Sequence, residues 1–397
     1  MRREGLGPKL FILRFKMADE EEDLIKYFFY RGYEYKEIIY LLKKEHDINL
    51  SLSTFKRRLK KYNLSRHKAD YDVEAVRGAI IELLSGPSSS LGYRSIWHSL
   101  QIKGMRIPRI VVQKLVKELD PEGVESRRAH RLRRREYFSP GPNSVWHADG
   151  YDKLKPYGLP IHGCIDGYSR KIIWLYVTRS NNLPDNIAAY YLDGVREFGG
   201  CPMELNTDLG TENGIMAGIH SYFRENPDSH KYVASPRNQR IEGWWSFLRK
   251  NWSSWWIALF KDMIEQEILN TGDHLQIECL WFCFSDLIQK ELNEIKELWN
   301  THYIRKSRFD TVCGRPDSLY SMPEFHGGVD NLIRPVDDMK LNYAYSHLVE
   351  AAPEEQGSYQ EYFQYVMDAL NLEKNFKNWS GALELYGLLC QVAKNDS

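Results

Sequence analysis

The hydrophobic period of this chain changes twice. From about residue 20 to residue 120 apolar residues recur three and four apart, the spacing of helices with one buried face. ADEEEDLIKYFFYRGY, YKEIIYLLKKEH and LSTFKRRLKKYNL predict three helices within residues 19–64, the last entered through the turn HDINLS. Ser51 is placed to N-cap that helix, because its side-chain oxygen can accept from a free amide of the first turn. Leu52, Phe55, Leu59 and Tyr62 then share one face, which leaves Ser53, Thr54, Arg57, Lys60 and Lys61 facing outward. Residues 65–91 read as a linker with one helix, and SGPSSSLG as a flexible break. A second pair of helices follows in GYRSIWHSLQIKG and PRIVVQKLVKEL, with Pro108 near the first helical position and Arg109, Gln113 and Lys117 outward.

The period shortens in the middle of the chain. SVWHAD, LPIHGCID and KIIWLYVT predict three strands joined by turns. A helix in PDNIAAYYLDGVREFGG, a strand in MELNTD, a helix around GIMAGIHSYFREN, a short strand KYVAS and a long helix from Gln239 complete the segment. That order predicts an α/β core with a mixed five-stranded sheet and helices on both faces. Asp149 is expected to end the first strand and Asp208 the fourth. Helical spacing returns over 257–305, where LQIECLWFCFSDLIQKELNEIKELWNTHYIR is apolar along one side, fit to pack on the core or on another subunit. The partition expected is two helix-turn-helix domains (19–68 and 69–126), a basic linker (127–140), the core (141–260), a helical extension (261–345) and an acidic helical tail (346–397) with no assigned function.

Charge adds what periodicity cannot. The formal net charge is zero, yet residues 1–140 hold 30 Lys and Arg against 19 Asp and Glu, and the remainder 24 against 35. A basic arm on a more acidic body points to nucleic acid. The outward face of LSTFKRRLKK is either a solvated basic surface or a helix for the major groove; its cap, its turn and the charge favour DNA. The arginine-rich run RRAHRLRRREY (127–137), with Arg131, Arg133, Arg134 and Arg135, is suited to tracking phosphates between the helical units and the core. No apolar run approaches the ~20 residues of a membrane span. The N-terminal apolar patch, broken by Arg14 and Lys16, is not read as a signal peptide. Six scattered cysteines fit reduced thiols, with Cys279 and Cys283 one turn apart on a buried helix.

Three acids carry the candidate chemistry: Asp149 in SVWHADGYD, Asp208 in MELNTDLGTENG and Glu242 in SPRNQRIEGWWSFLRK. Mg²⁺ wants oxygen ligands, and a two-metal phosphodiester site needs several carboxylates converging from separate segments. Ser246 and Arg249 lie four and seven positions after Glu242, on its side of the helix, suited to a phosphate or a DNA end. Asp166 reads as a structural turn residue, Asp152 as solvated, and Glu212 as either a supporting acid or a solvated one. His147 and His162 read as core or hairpin residues, since His suits Mg²⁺ poorly. The crowded Trp244, Trp245, Trp252, Trp255 and Trp256 read as core, with one ring at most left for stacking on bases.

These motifs resemble the retroviral-integrase-like superfamily of DDE polynucleotidyl transferases, and within it transposon-derived integrase-core proteins. The strings TFKRRL, LGYRSIWH, GPNSVWHADGYDKL, IHGCIDGYSR, TDLGTENG and NQRIEGWW carry the likeness over roughly residues 30–330. The resemblance implies a ribonuclease-H-like core, two Mg²⁺ (or Mn²⁺) held by Asp149, Asp208 and Glu242, and Asn213, Asn238 and Gln239 among the polar positions around them. It further implies DNA ends and target DNA as partners, a homo-oligomer and a nuclear location. The interval between Asp208 and Glu242 is slightly shorter than in retroviral integrases, and helix-turn-helix units replace their His/Cys zinc module. The expected function is metal-dependent DNA cleavage and strand transfer. The alternatives are a domesticated, non-catalytic DNA-binding or chromatin-associated protein, and a nuclease that cuts without joining.

Overall fold

The computed structural model describes residues 21–66, 71–126, 138–233, 238–306, 312–348, 357–372, 374 and 378–395. The arginine-rich run, with Arg131, Arg133, Arg134 and Arg135, lies outside the described residues.

The N-terminal unit is three short helices, α1 (Glu21–Tyr30), α2 (Tyr35–His46) and α3 (Leu52–Lys61). α2 starts in a capping box in which Glu34 and Glu37 satisfy one another's backbone amides. α3 starts on Ser51, whose hydroxyl accepts from the Thr54 amide at 3.1 Å. Leu24, Ile25, Phe28, Phe29, Ile38, Leu41, Leu42, Phe55 and Leu59 form one small core. Leu52 does not join it; burial on α3 begins one turn later, at Phe55, and Leu52 stays 41% exposed. The unit docks on the segment 315–326 through polar contacts. Ser318 donates to the buried Glu37 carboxylate at 2.8 Å, Arg315 donates to Gly32 O at 2.6 Å, and Lys44 pairs with Glu324 at 2.7 Å.

The second unit comprises α4 (Val73–Leu84), α5 (Tyr93–Ile102), α6 (Arg109–Leu119) and α7 (Pro121–Ser126). Between α4 and α5 the stretch expected to be a flexible break is a 3₁₀ turn, Pro87–Ser90. Pro87 is buried, and the turn packs against residues 249–253, just beyond the helix bearing Glu242. Small residues there permit close approach as readily as they permit flexibility.

The core follows as β1 (Val145–Tyr151), β2 (Ile161–Asp166), β3 (Ile172–Val177), α8 (Pro184–Phe198), β4 (Gly200–Cys201), β5 (Glu204–Thr207), α9 (Gly214–Arg224), β6 (His230–Tyr232) and α10 (Gln239–Leu248). Its sheet is five-stranded and mixed, in the order β3-β2-β1-β5-β6. β1, β2 and β3 are antiparallel neighbours, while β5 and β6 run parallel to β1. Trp146, Ala148, Cys164 and Trp174 pack with Tyr191, Leu192 and Phe198 on one face. Tyr151, Ile161, Ile165 and Leu175 pack with Trp244, Trp245, Trp252 and Trp256 on the other. Both faces are thus covered by helices, as expected of a ribonuclease-H-like core.

The chain continues through α11 (Ser254–Glu265), α12 (His274–Thr301), α13 (Pro316–Ser321), β7 (Arg334–Pro335), α14 (Asp338–Ser346), α15 (Ser358–Ala369) and α16 (Trp379–Asn395). α12 is 28 residues long, and Asp273 caps it by accepting from the Leu275 and Gln276 amides. It lies along the outer edge of β3 and occupies that strand's free backbone groups. Asn300 bonds both the N–H and the C=O of Ile172, at 2.8 and 3.1 Å. Gln289 bonds the Val177 N–H and the Leu175 C=O, at 3.0 and 3.1 Å, and Lys296 donates to Ile173 O at 2.6 Å. α15 and α16 pack on α12, burying Phe363, Met367, Leu385, Tyr386 and Leu389. Cys279 and Cys283 are buried on α12, as their spacing predicts. No helix among the described residues is long and apolar enough to cross a membrane.

Candidate active site

The strand registers decide where the acids stand. β1 pairs with β2 as far as Tyr151, but with β5 only from Val145 to His147. Asp149 therefore does not end its strand, as the sequence led us to expect. It sits opposite Gly163 of β2 and two residues past the end of the parallel ladder, where the β5 side has opened. Asp208 directly follows the last residue of β5. Glu242 is the fourth residue of α10, which packs across β1 and β2. A strand, a turn and a helix thereby deliver Asp149, Asp208 and Glu242 to one cleft of about 370 Å³, with Lys153, Ser246 and Arg249 also on its wall. A larger groove of about 930 Å³, between β3, α12 and α15, holds none of these residues.

Electrostatics tie the acids together. Burial, then the charges of Glu242 and Asp208, push the Asp149 carboxyl up to about 7; bonds from Trp245 and the Gly150 backbone pull the other way. Asp208 is oriented by Asn213 Nδ2 at 2.8 Å and by the Gly210 amide at 3.3 Å. Asn213 is itself buried at the start of α9.

Asn238 holds the helix to the strand. It is 1% exposed; its Nδ2 donates to Ala148 O at 3.1 Å and its Oδ1 lies 2.7 Å from His147 Nδ1. Since that oxygen can only accept, His147 donates, and burial lowers the imidazole to about 4, keeping it neutral. His162 is likewise structural: it accepts from Trp174 Nε1 at 3.0 Å.

The remaining expected residues divide clearly. Ser246 lines the cleft and donates to the Glu242 carbonyl at 3.2 Å. Arg249 begins a π-helical turn, Arg249–Ser253, and its Nη1 is buried without a hydrogen-bond partner. Gln239 opens α10 half-buried and is not on the cleft wall. Asp166 is fully buried and accepts from the Asn143 amide and from both the amide and hydroxyl of Ser169, so it is a turn residue as read. Asp152 sits exposed at the rim and accepts from Asn181 at 2.7 Å. Glu212 folds its carboxylate over Gly210. On α3, Ser53, Arg57, Lys60 and Lys61 are exposed, while Thr54 is half-buried and accepts from Arg57 at 3.2 Å. Arg109, Gln113 and Lys117 are exposed on α6.

One contact escaped the sequence reading. Trp245 Nε1 donates to Asp149 Oδ2 at 2.9 Å. The signal was available: Trp245 is three residues after Glu242, the spacing that puts two side chains on one helical face. The density of tryptophans masked it, and four of the five are indeed buried, with Trp255 partly so.

The donor set fits a hard divalent cation. All three acids offer oxygen, and they line one cleft from three separate elements. Among the described residues, no three His, Cys, Asp or Glu side chains are closed into a metal cluster, so the acids share a cleft without being drawn onto a point. No curated protein matches the chain. The segment from residue 136 to residue 320, which holds the whole five-stranded sheet, all three acids and α12, matches the integrase core domain family, and the fold of that segment is ribonuclease-H-like.

Proposed function

We propose that the chain is a DNA integrase or transposase, cutting and joining phosphodiesters in a divalent-metal-dependent reaction. The carrying observation is that Asp149, Asp208 and Glu242, from three separate elements, line one cleft, in which burial and then the charges of Glu242 and Asp208 raise the Asp149 carboxyl. These three residues would hold two Mg²⁺ or Mn²⁺ ions. When bound, such a pair supplies Lewis-acid activation of the attacking oxygen and offsets charge on the leaving one.

The chain's own groups do the rest. Asn213 and Trp245 orient Asp208 and Asp149. Arg249 and Ser246, beside Glu242, face the backbone phosphate of the DNA end. The outward sets on α3 (Ser53, Thr54, Arg57, Lys60, Lys61) and α6 (Arg109, Gln113, Lys117) bind the element end. Arg131, Arg133, Arg134 and Arg135 follow phosphates between them and the core. Joining two ends calls for a homo-oligomer, and the substrate for a nuclear location.

The test is strand transfer by purified protein on candidate end sequences, with Mg²⁺ or Mn²⁺, beside Asp208→Asn. Joined products that vanish in the variant support the proposal. DNA binding indifferent to metal and to Asp208→Asn, with no joined product, identifies a non-catalytic DNA-binding protein instead. Nicked but unjoined DNA identifies a nuclease.

A further inference from the structure

Two tryptophans stand side by side on α10, and their N–H groups have different fates. Trp245 Nε1 donates to Asp149 Oδ2 at 2.9 Å, whereas Trp244 Nε1 is buried with no hydrogen-bond partner. The Trp245 ring is wedged rather than loosely packed. It lies 5.1 Å from the Tyr151 ring at 34°, and Tyr151 is tied in turn to Ser253 through its hydroxyl at 2.5 Å. The far edge of the indole fills the space over Gly163, where a Cβ would come within 2.8 Å of it. Gly163 is the residue paired with Asp149 across β1 and β2. The slot that admits the indole is therefore opened by the residue opposite the acid.

Asp149 shares its cleft with Asp208 and Glu242, and a carboxylate held by a wedged donor has one fixed orientation in that cleft. We propose that Trp245 is a positioning residue: its indole N–H, locked over Gly163 and Tyr151, holds the Asp149 carboxylate toward Glu242 and Asp208 and so sets the divalent-cation affinity of the cleft. The inference rests on the reading of these three acids as the metal-holding set. It also makes α10 a double mount, carrying one acid and aiming another. Groups that orient a metal ligand typically change affinity 10- to 100-fold when lost.

The experiment is calorimetric titration of the full chain with Mn²⁺ alone, for wild type, Asp149→Asn, Trp245→Phe and Trp244→Phe. Phenylalanine keeps an aromatic ring but removes the N–H, so Trp244→Phe controls for lost ring volume. The expected result is about tenfold weaker Mn²⁺ binding for Trp245→Phe and an unchanged affinity for Trp244→Phe. Loss of affinity in Asp149→Asn with wild-type affinity in Trp245→Phe overturns this inference alone. Wild-type protein that binds no Mn²⁺ overturns the proposed function and this inference with it. A second readout needs no tryptophan variant: Asp149→Asn should move the Trp245 indole N–H resonance and leave that of Trp244 in place. A Trp245 resonance indifferent to Asp149→Asn overturns the inference even where Trp245→Phe fails to fold.

Discussion

His147 donates to Asn238 across 2.7 Å, and through that bond the helix carrying Glu242 is fastened to the strand carrying Asp149. Asn238 also donates to Ala148 O, so one amide spans two consecutive residues of β1. Asn238→Ala leaves a buried N–H and a buried C=O unmatched and should cost about 3 kcal/mol. Urea denaturation measures that loss. Strand transfer should fall further than stability does, because Glu242 loses its fixed height over the sheet.

Two aspartates in neighbouring strands should answer the same substitution in opposite ways. Asp166→Asn places an NH₂ group among three donors in a fully buried turn and should destabilise by roughly 2–4 kcal/mol. Asp149→Asn removes a carboxylate whose charge is disfavoured by burial and then by its acidic neighbours, and should leave the melting temperature unchanged or higher while lowering strand transfer by at least about 100-fold. Thermal melts beside a joining assay separate the two. Equal destabilisation of both variants would assign Asp149 a structural role.

That contrast shows what the sequence could carry. The order of the acids, the five strands and the Ser51 cap were legible, because each depends on local pattern or short spacing. Asp166 was separable from Asp149 by its turn context. Three features were not legible, because each depends on a partner distant in the chain. Asp149 looked like a strand end because the early stop of the β1–β5 ladder is set by β5. SGPSSSLG looked flexible because the surface at 249–253 that receives it lies far downstream. Trp245 looked like core because apolar density says nothing of where an indole N–H points.

Glu291 should give the protein a pH dependence unconnected with the cleft. Its carboxylate accepts from Trp252 and Trp256 at 2.8 and 2.9 Å, and burial pushes it up to about 7. A carboxyl raised on folding makes the folded chain bind more protons than the unfolded one. Its contribution is therefore full below about pH 4.5 and falls as pH rises to about 7, by roughly 3 kcal/mol in all. Glu291→Gln keeps an acceptor for both indoles and should remove that part of the slope. Denaturation midpoints of the two proteins, compared between pH 5 and 8, check it; parallel profiles would contradict it.

DNA affinity should report the basic face of α3 through salt. Arg57→Ala, Lys60→Ala and Lys61→Ala should each weaken binding to specific and random duplexes alike, and each lower the slope of log K against log salt by about 1. Fluorescence anisotropy over a salt series measures the slopes. Unaltered slopes in all three would remove α3 from the DNA surface.

Along β3, side chains of α12 stand where a sixth strand would otherwise bond. Asn300 and Gln289 each present a carboxamide to the strand, imitating the peptide group of a neighbour, and Lys296 takes one more carbonyl. An open strand edge is a template on which another chain can add. Here the template is already copied in side chains, so a strand from another chain finds the backbone groups of β3 already engaged.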